Sequence, residues 1–179
     1  MNQIIFTNGG WQSELWIEIQ ESATTLGIDI NNPEIAALMK DVFDIYMKDE
    51  DTRSYHSLRY HIVPMIKRLV NRHSGEYAKA IASANTYFSH KLNVDPINTV
   101  SSGFSGPCNA KLNWELMFWA ALFHDVYLDP RLLQGKNEAN SASYWKKAAQ
   151  AYYPSLGFVN IEMVSQMILA TYKHEHHDL

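Results

Sequence analysis

The sequence contains very little cysteine and no long apolar stretch. Cys108 is the only cysteine among its 179 residues, which excludes an internal disulfide framework and a cysteine-rich zinc site. No run approaches the ~18 apolar residues that a membrane span needs. The short apolar start, Met1 to Phe6, has no basic residue before it and no usable cleavage site, so we expect no signal peptide. These absences predict a cytoplasmic protein without a membrane partner.

Neither sign of charge dominates strongly. Lys and Arg total 15 against 19 for Asp and Glu, a net charge of -4 that disfavours sequence-independent binding to a nucleic acid duplex. A hydrophobic fraction of 46% and a charged fraction of 19% fit one soluble, folded domain spanning residues 1–179. Eight histidines are present and are unevenly distributed, which makes them the most informative residue type in the chain.

Helical periodicity dominates the sequence, and no segment shows the alternation of a strand. We therefore predict an all-α fold, a bundle of about seven helices. Asn32 and Pro33 predict an N-cap and a first helical residue, and the charged run 48–51 predicts a solvated exit from that helix. The predicted helices cover about 10–26, 33–48, 53–72, 74–92, 114–127, 137–152 and 159–174, with a loop over 93–109.

His124 and Asp125 follow the most apolar helix of the chain, 114–123. A buried imidazole and carboxylate are costly to desolvate unless a partner compensates them. A divalent metal is such a partner, because one imidazole and one carboxylate suit Mn, Fe or Zn. The alternative is a surface pair in which the histidine interacts with the helix dipole.

Three further polar segments could contribute to a site. The segment 53–61 places two histidines and two arginines together, so His56 could bind metal, and Arg53 and Arg59 could hold phosphate oxygens. An ordinary polar helix face is the alternative there. The segment 137–142 can be a helix start capped by Asn137, and Thr171 and His174 share one helix face.

In combination these segments resemble the HD superfamily of metal-dependent phosphohydrolases, whose signature is a His, a His-Asp pair and a later Asp, all on helices. More narrowly, the chain is similar to the branch of predicted metal-dependent HD phosphohydrolases. The resemblance spans about Tyr46 to His174. The matching segments, in the order of the family, are Arg53-Ser54-Tyr55-His56, Phe123-His124-Asp125 with Tyr127, Asn137-Glu138-Ala139-Asn140-Ser141-Ala142, and Thr171-Tyr172-Lys173-His174.

The resemblance implies an HD-like helical bundle in which His56, His124 and Asp125 hold one or two divalent ions (Mn, Fe, Zn, Mg or Ni). A bound metal activates water and stabilises charge on phosphate oxygens. The implied substrate is a phosphate mono- or diester, with a nucleotide favoured. His61 or His174 would act as general acid or base or position the phosphate, whereas Arg53 and Arg59 would neutralise its charge.

The sequence departs from the family in the spacing of its histidines. A second histidine usually follows the first by four residues, but that position is Tyr60 here, and His61 comes one residue later. One extra residue turns a side chain by about 100° on a regular helix. Pro64 lacks the N–H that would bond the Tyr60 carbonyl. We therefore predict a one-residue bulge that returns His61 to the face of His56.

Two other departures concern the spacing between His56 and His124 and the final Asp of the signature. His56 and His124 are further apart than expected, which predicts an insertion within 74–113 that forms a packed lid or a contact between subunits of a homo-oligomer. The final Asp of the signature is missing at its expected place. Asp178 is a weak candidate for it, Asp129 and Glu138 are other oxygen donors, and the histidine-rich tail could bind metal adventitiously.

These departures leave three functional hypotheses. The favoured one is an HD-type metal-dependent phosphohydrolase. The second is a degenerate HD domain that binds a nucleotide or a protein partner without turnover, and the missing Asp favours it. The third is a helical scaffold whose histidines have no joint function.

Overall fold

Helices account for all the regular secondary structure in the described part of the chain. The computed structural model describes residues 10–75, 110–133 and 135–172. The α-helices there are α1 (Gly10–Thr25), α2 (Pro33–Asp49), α3 (Val63–His73), α4 (Ala110–Phe123), α5 (Lys136–Tyr152) and α6 (Phe158–Thr171). The all-α prediction is confirmed. The predicted helix 74–92, the loop 93–109 and nearly all of the predicted insertion lie outside the described residues.

The start of α2 follows the sequence prediction. The Asn32 side chain accepts a hydrogen bond of 2.9 Å from the Glu34 N–H, and Pro33 is the first helical residue. Such a cap satisfies one of the N–H groups that a helix start leaves without a partner. The apolar face of α2 is buried through Ile35, Leu38, Met39, Val42, Phe43 and Tyr46.

Aromatic packing fixes the C-terminal end of α4. Trp119, Phe123 and Trp145 are fully buried, and the Phe123 and Trp145 rings meet edge to face with their centroids 5.0 Å apart. The Trp145 indole N–H donates to the Ile161 carbonyl at 2.8 Å, which joins α5 to α6. Burial of such large side chains contributes most of the hydrophobic stabilisation of a core. His124 and Asp125 therefore follow a densely packed helix end.

The prediction of one helix over 53–72 is wrong at its start, over 53–57. The chain instead forms two 3-10 turns, Glu50–Thr52 and Ser54–His56, and is extended at Ser57 before helical structure resumes. The reason is local, because the Ser57 hydroxyl caps the new helix start by accepting from the Tyr60 N–H at 3.1 Å.

The predicted bulge is present beyond Ser57. Residues Leu58–Ile62 form a π-turn, in which the N–H of Ile62 bonds the carbonyl of Ser57 at 3.2 Å and that of Val63 bonds the carbonyl of Leu58. Each of these bonds spans five residues, one more than in an α-helix. The wide turn lies just before Pro64, whose ring would clash with a regular helical carbonyl four residues earlier.

The start of α5 differs from the sequence prediction. Gly135, at a φ of 80°, takes the N-cap position, and the helix begins at Lys136. Asn137 is not the cap, because its side chain accepts from the Asp129 N–H at 2.9 Å and donates to the Asp129 carbonyl at 3.2 Å. The hydroxyl of Ser141 accepts from the Tyr127 N–H at 3.1 Å. The first turns of α5 thus hold the segment that follows Asp125.

Across the described ranges, no helix has both the length and the apolar content that crossing a membrane requires.

Candidate metal centre

His124 and Asp125 are both buried just beyond α4. The His124 N–H continues the helical pattern by bonding the Ala120 carbonyl at 3.0 Å. The exposed fractions of the two residues are 6% and 8%. A surface role for this pair, the alternative left open by the sequence, does not agree with this burial. Two ionisable groups at such depth need compensating partners.

Three side chains from two distant segments bring their ligand atoms together. His61 Nε2 lies 3.1 Å from His124 Nε2 and 3.5 Å from Asp125 Oδ2, and His124 Nε2 lies 3.1 Å from the same oxygen. Among the described residues, His61, His124 and Asp125 form a group that could hold a metal ion. His61, predicted as an acid, base or phosphate-positioning residue, is thus placed among the candidate ligands.

The dimensions of this triangle fit a single ion. Metal–nitrogen and metal–oxygen bonds of about 2.0–2.1 Å separate neighbouring ligand atoms by about 3.0 Å at right angles and about 3.4 Å at tetrahedral angles. The observed edges of 3.1, 3.1 and 3.5 Å lie within about 0.1 Å of this range. Two imidazoles and one carboxylate are also a donor set suited to Fe, Mn or Zn rather than to a hard ion alone.

Hydrogen bonding of the second ring nitrogen orients His124. Its Nδ1 lies 3.0 Å from the Ala121 carbonyl oxygen, which can only accept, so Nδ1 carries a proton. His124 Nε2 lies 3.1 Å from the Asp125 carboxylate, so a hydrogen bond from Nε2–H or a metal ion bound to both atoms can join the two groups.

His56 contacts the same carboxylate from outside the group. Its Nδ1 lies 2.9 Å from Asp125 Oδ2. Burial acts to raise the pKa of Asp125, but hydrogen bonds from His124 and His56 outweigh burial and hold that pKa well below its usual range. Asp125 is therefore an anion at neutral pH. The assignment of His56 as a metal ligand stays a prediction.

The π-turn determines which side chain at this point reaches the centre. His61 is half-buried, and its ring centroid lies 5.2 Å from that of His124, whereas Tyr60 is 67% exposed. Tyr55 packs beside His61 with the ring centroids 4.8 Å apart. Burial is the main reason that the pKa of His61 lies below its ordinary value, and the nearby His124 lowers it further. A neutral His61 is the form that binds a metal.

Arg53 has a different role from the one expected. The side chain is buried, and its guanidinium donates to the carbonyls of Asp125 at 2.7 Å and Val126 at 3.0 Å. A third donor bonds the Asp49 carboxylate at 2.8 Å, and the guanidinium lies 4.6 Å above the Tyr46 ring. These contacts make Arg53 a structural brace between the two ligand segments. This corrects the expectation that it neutralises phosphate charge.

The sequence did not predict the burial of Glu50. The acidic run 48–51 predicted a solvated exit, yet the Glu50 side chain is buried and accepts the backbone N–H groups of Leu58 and Arg59, both at 2.9 Å. Its neighbours Asp49 and Asp51 follow the prediction more closely. Since no local pattern distinguishes Glu50 from them, only the path of the chain reveals its burial.

The other predicted site residues are distributed as follows. Arg59 is exposed on the π-turn. Asp129 pairs with Arg131 through three contacts, which lowers its pKa to about 2, and it lies outside the ligand group. Glu138 is buried, and its Oε2 has no hydrogen-bond partner among the described residues. His174 and Asp178 lie outside the described residues.

No family model, curated protein or solved structure matches the chain.

Proposed function

We propose that this protein is a metal-dependent phosphohydrolase of the HD type, acting on a phosphate mono- or diester, with a nucleotide as the favoured substrate class. The observation that supports the proposal most is the contact between His124 and Asp125. The His124 Nε2 atom and a carboxylate oxygen of Asp125 lie 3.1 Å apart, close enough to share one metal ion, and His61 supplies the third ligand atom at a fitting distance.

In this proposal His61, His124 and Asp125 hold the metal. When bound, the ion supplies an acidified water molecule and positive charge for the phosphate oxygens. The carbonyl of Ala121 fixes the tautomer of His124 so that Nε2 faces the centre. The Nδ1–H group of His56 donates a hydrogen bond to Asp125 Oδ2 and thereby orients the carboxylate. The partial burial of His61 lowers its pKa, which favours the neutral ring that binds a metal.

Exposed residues next to the ligands would meet the substrate. Tyr55 is 64% exposed while its ring contacts His56 and His61. Arg59 lies on the π-turn between the histidines and is exposed as well. A guanidinium suits the oxygens of a phosphate, and Arg59 keeps the phosphate-binding role predicted for it. His174 stays the predicted general acid or base.

The alternative is a degenerate HD domain that binds its ligand without turnover. One observation favours it, because Asp125 is the single carboxylate in the ligand group of the described residues. In two-metal sites the ions lie about 3.5–4 Å apart and clamp the attacking and leaving oxygens, and the described ligand group offers one carboxylate for this purpose. In that case a nucleotide or a protein partner binds, but no phosphate is released.

Elemental analysis of the purified, untagged protein tests the proposal first. We expect one or two moles of Fe, Mn or another divalent metal per chain, lost on Asp125→Ala. Phosphate release from a panel of nucleotides and simple phosphate esters then follows, with Mn²⁺ added. Turnover that Asp125→Ala abolishes supports the enzyme. Binding without turnover, or a chain without metal even after reloading, contradicts the enzyme and supports the alternative.

A further inference from the structure

Glu50 connects the end of α2 to the start of the segment that carries His61. Its Oε2 accepts from the Leu58 N–H and its Oε1 from the Arg59 N–H, each at 2.9 Å, across eight and nine residues of chain. The residue itself is only 7% exposed. A carboxylate removed from water to this extent needs strong hydrogen bonds to compensate its desolvation.

These bonds complete the start of the helix that follows Ser57. A helix start leaves its first N–H groups without helical partners. Glu50 satisfies those of Leu58 and Arg59, and the Ser57 hydroxyl satisfies that of Tyr60 at 3.1 Å. The N–H groups of His61 and Ile62 both bond the Ser57 carbonyl, at 3.1 and 3.2 Å. Every N–H from 58 to 62 therefore has a defined partner.

Capping alone does not require a glutamate at this place. Short side chains next to a helix start, such as that of Ser57, are the usual caps. Glu50 instead reaches the helix from the preceding helix and bonds two adjacent N–H groups at once. Its carboxylate thus fixes the first residue of the helix and, with Pro64, the position at which the wide turn occurs.

We infer that Glu50 is a positioning residue of the metal centre. By holding the N–H groups of Leu58 and Arg59, it fixes the register in which His61, rather than Tyr60, faces His124 and Asp125. The inference rests on the proposed function for its consequence on metal binding, but its effect on the position of His61 does not depend on any metal. Glu50 touches none of the ligand atoms and acts only through the backbone.

Glu50→Ala and Glu50→Gln test the inference, with Asp49→Ala as the matched control. Asp49 is the adjacent acidic residue, with a side chain 48% exposed, and bonds Arg53 rather than the helix start. Titration with Co²⁺, followed by its visible absorption, measures both affinity and ligand set. We expect Glu50→Ala to weaken binding by about 10–100-fold and to alter the spectrum. Glu50→Gln should retain part of the affinity, because its amide oxygen can accept one N–H.

A second readout works without metal and keeps the inference separate from the proposed function. In the metal-free protein, the amides of Leu58 and Arg59 should exchange with solvent faster in Glu50→Gln, and the contact between the His61 and His124 rings should weaken in NMR spectra. Should wild-type protein bind no Co²⁺, the proposed function fails while this readout still decides the role of Glu50. Wild-type exchange and ring contacts in Glu50→Gln, or wild-type Co²⁺ affinity in Glu50→Ala, would overturn the inference.

Discussion

His124 Nε2 and Asp125 Oδ2 face each other at 3.1 Å, although the residues are consecutive in the chain and both are buried. Consecutive side chains on a regular helix point about 100° apart. Their convergence here is allowed because α4 ends at Phe123 and the chain turns at His124 and Asp125. The fold itself thereby holds the two atoms close enough to share one ion.

Substitution of His61 and of His56 distinguishes a metal ligand from a residue that orients a ligand. We expect His61→Ala to abolish tight metal binding, because it removes one of three ligand atoms. His56→Ala should keep the metal stoichiometry and weaken the affinity by about 10–100-fold, since it removes a hydrogen bond to Asp125 rather than a ligand atom. Calorimetric titration with Mn²⁺ measures both quantities. Equal loss in the two variants would instead make His56 a ligand, as the family resemblance implies.

The stability of the metal-free protein should depend on pH through His61. Burial, followed by the nearby His124, lowers the pKa of His61 below its ordinary value of 6.5. Between the folded value and 6.5 the unfolded chain binds more protons, so stability decreases as the pH falls through this window. Above 6.5 the contribution of His61 is constant.

Urea unfolding of wild type and of His61→Asn, at pH values from about 8 to 5 in the presence of a chelator, measures this contribution. The unfolding midpoint of the wild type should fall more steeply with decreasing pH than that of the variant. Parallel curves for the two proteins would show that His61 titrates alike in the folded and unfolded states.

Arg53 should matter for stability far more than the residue it pairs with at the surface. Arg53→Met leaves the carbonyls of Asp125 and Val126 without their buried donor. An unsatisfied buried group costs about 1–3 kcal/mol, so a loss of about 3 kcal/mol is expected. Asp49→Asn, the control, removes only the charge of the half-exposed partner of Arg53 and leaves both carbonyl bonds in place, so it should cost less, about 1 kcal/mol. Denaturant midpoints of the two variants measure the contrast, and equal losses would count against the brace.

Pro64→Ala should separate helix stability from metal binding. The alanine restores an N–H that can bond the Tyr60 carbonyl, which favours a regular α-helix over the wide turn. We expect unchanged or higher thermal stability together with weaker metal binding, because His61 turns away from His124. Circular dichroism and Mn²⁺ titration measure the two effects. Wild-type affinity in this variant would mean that packing alone maintains the turn.

Much of the fold could be predicted from local sequence patterns. The start of α2 follows from Asn32 and Pro33 because capping depends on adjacent residues only. The bulge before Pro64 was predictable for the same reason, since a proline removes one specific helical bond. The start of α5 was not, because the Asn137 side chain bonds Asp129 eight residues away rather than capping its own helix.

The candidate site was only partly predictable. His124 and Asp125 were identified because a polar pair after an apolar helix is conspicuous, whereas Arg53 was assigned to phosphate and in fact bonds backbone carbonyls 72 and 73 residues away. Contacts of that range are set by how the helices pack, which a single sequence does not specify. The burial of Glu50 was missed for the same reason.

His61 and His124 are 63 residues apart in the sequence, so an ion bound to both rings would join two distant parts of the chain. An ion shared by both rings is a removable cross-link that closes a large loop. Since the two rings meet only in the folded chain, the ion stabilises that state by mass action, by about 2.7 kcal/mol when its free concentration is 100 times the dissociation constant. The supply of metal would therefore affect the stability of the folded chain, and a chelator would lower it. The lifetime of the folded protein would then depend on the concentration of available metal.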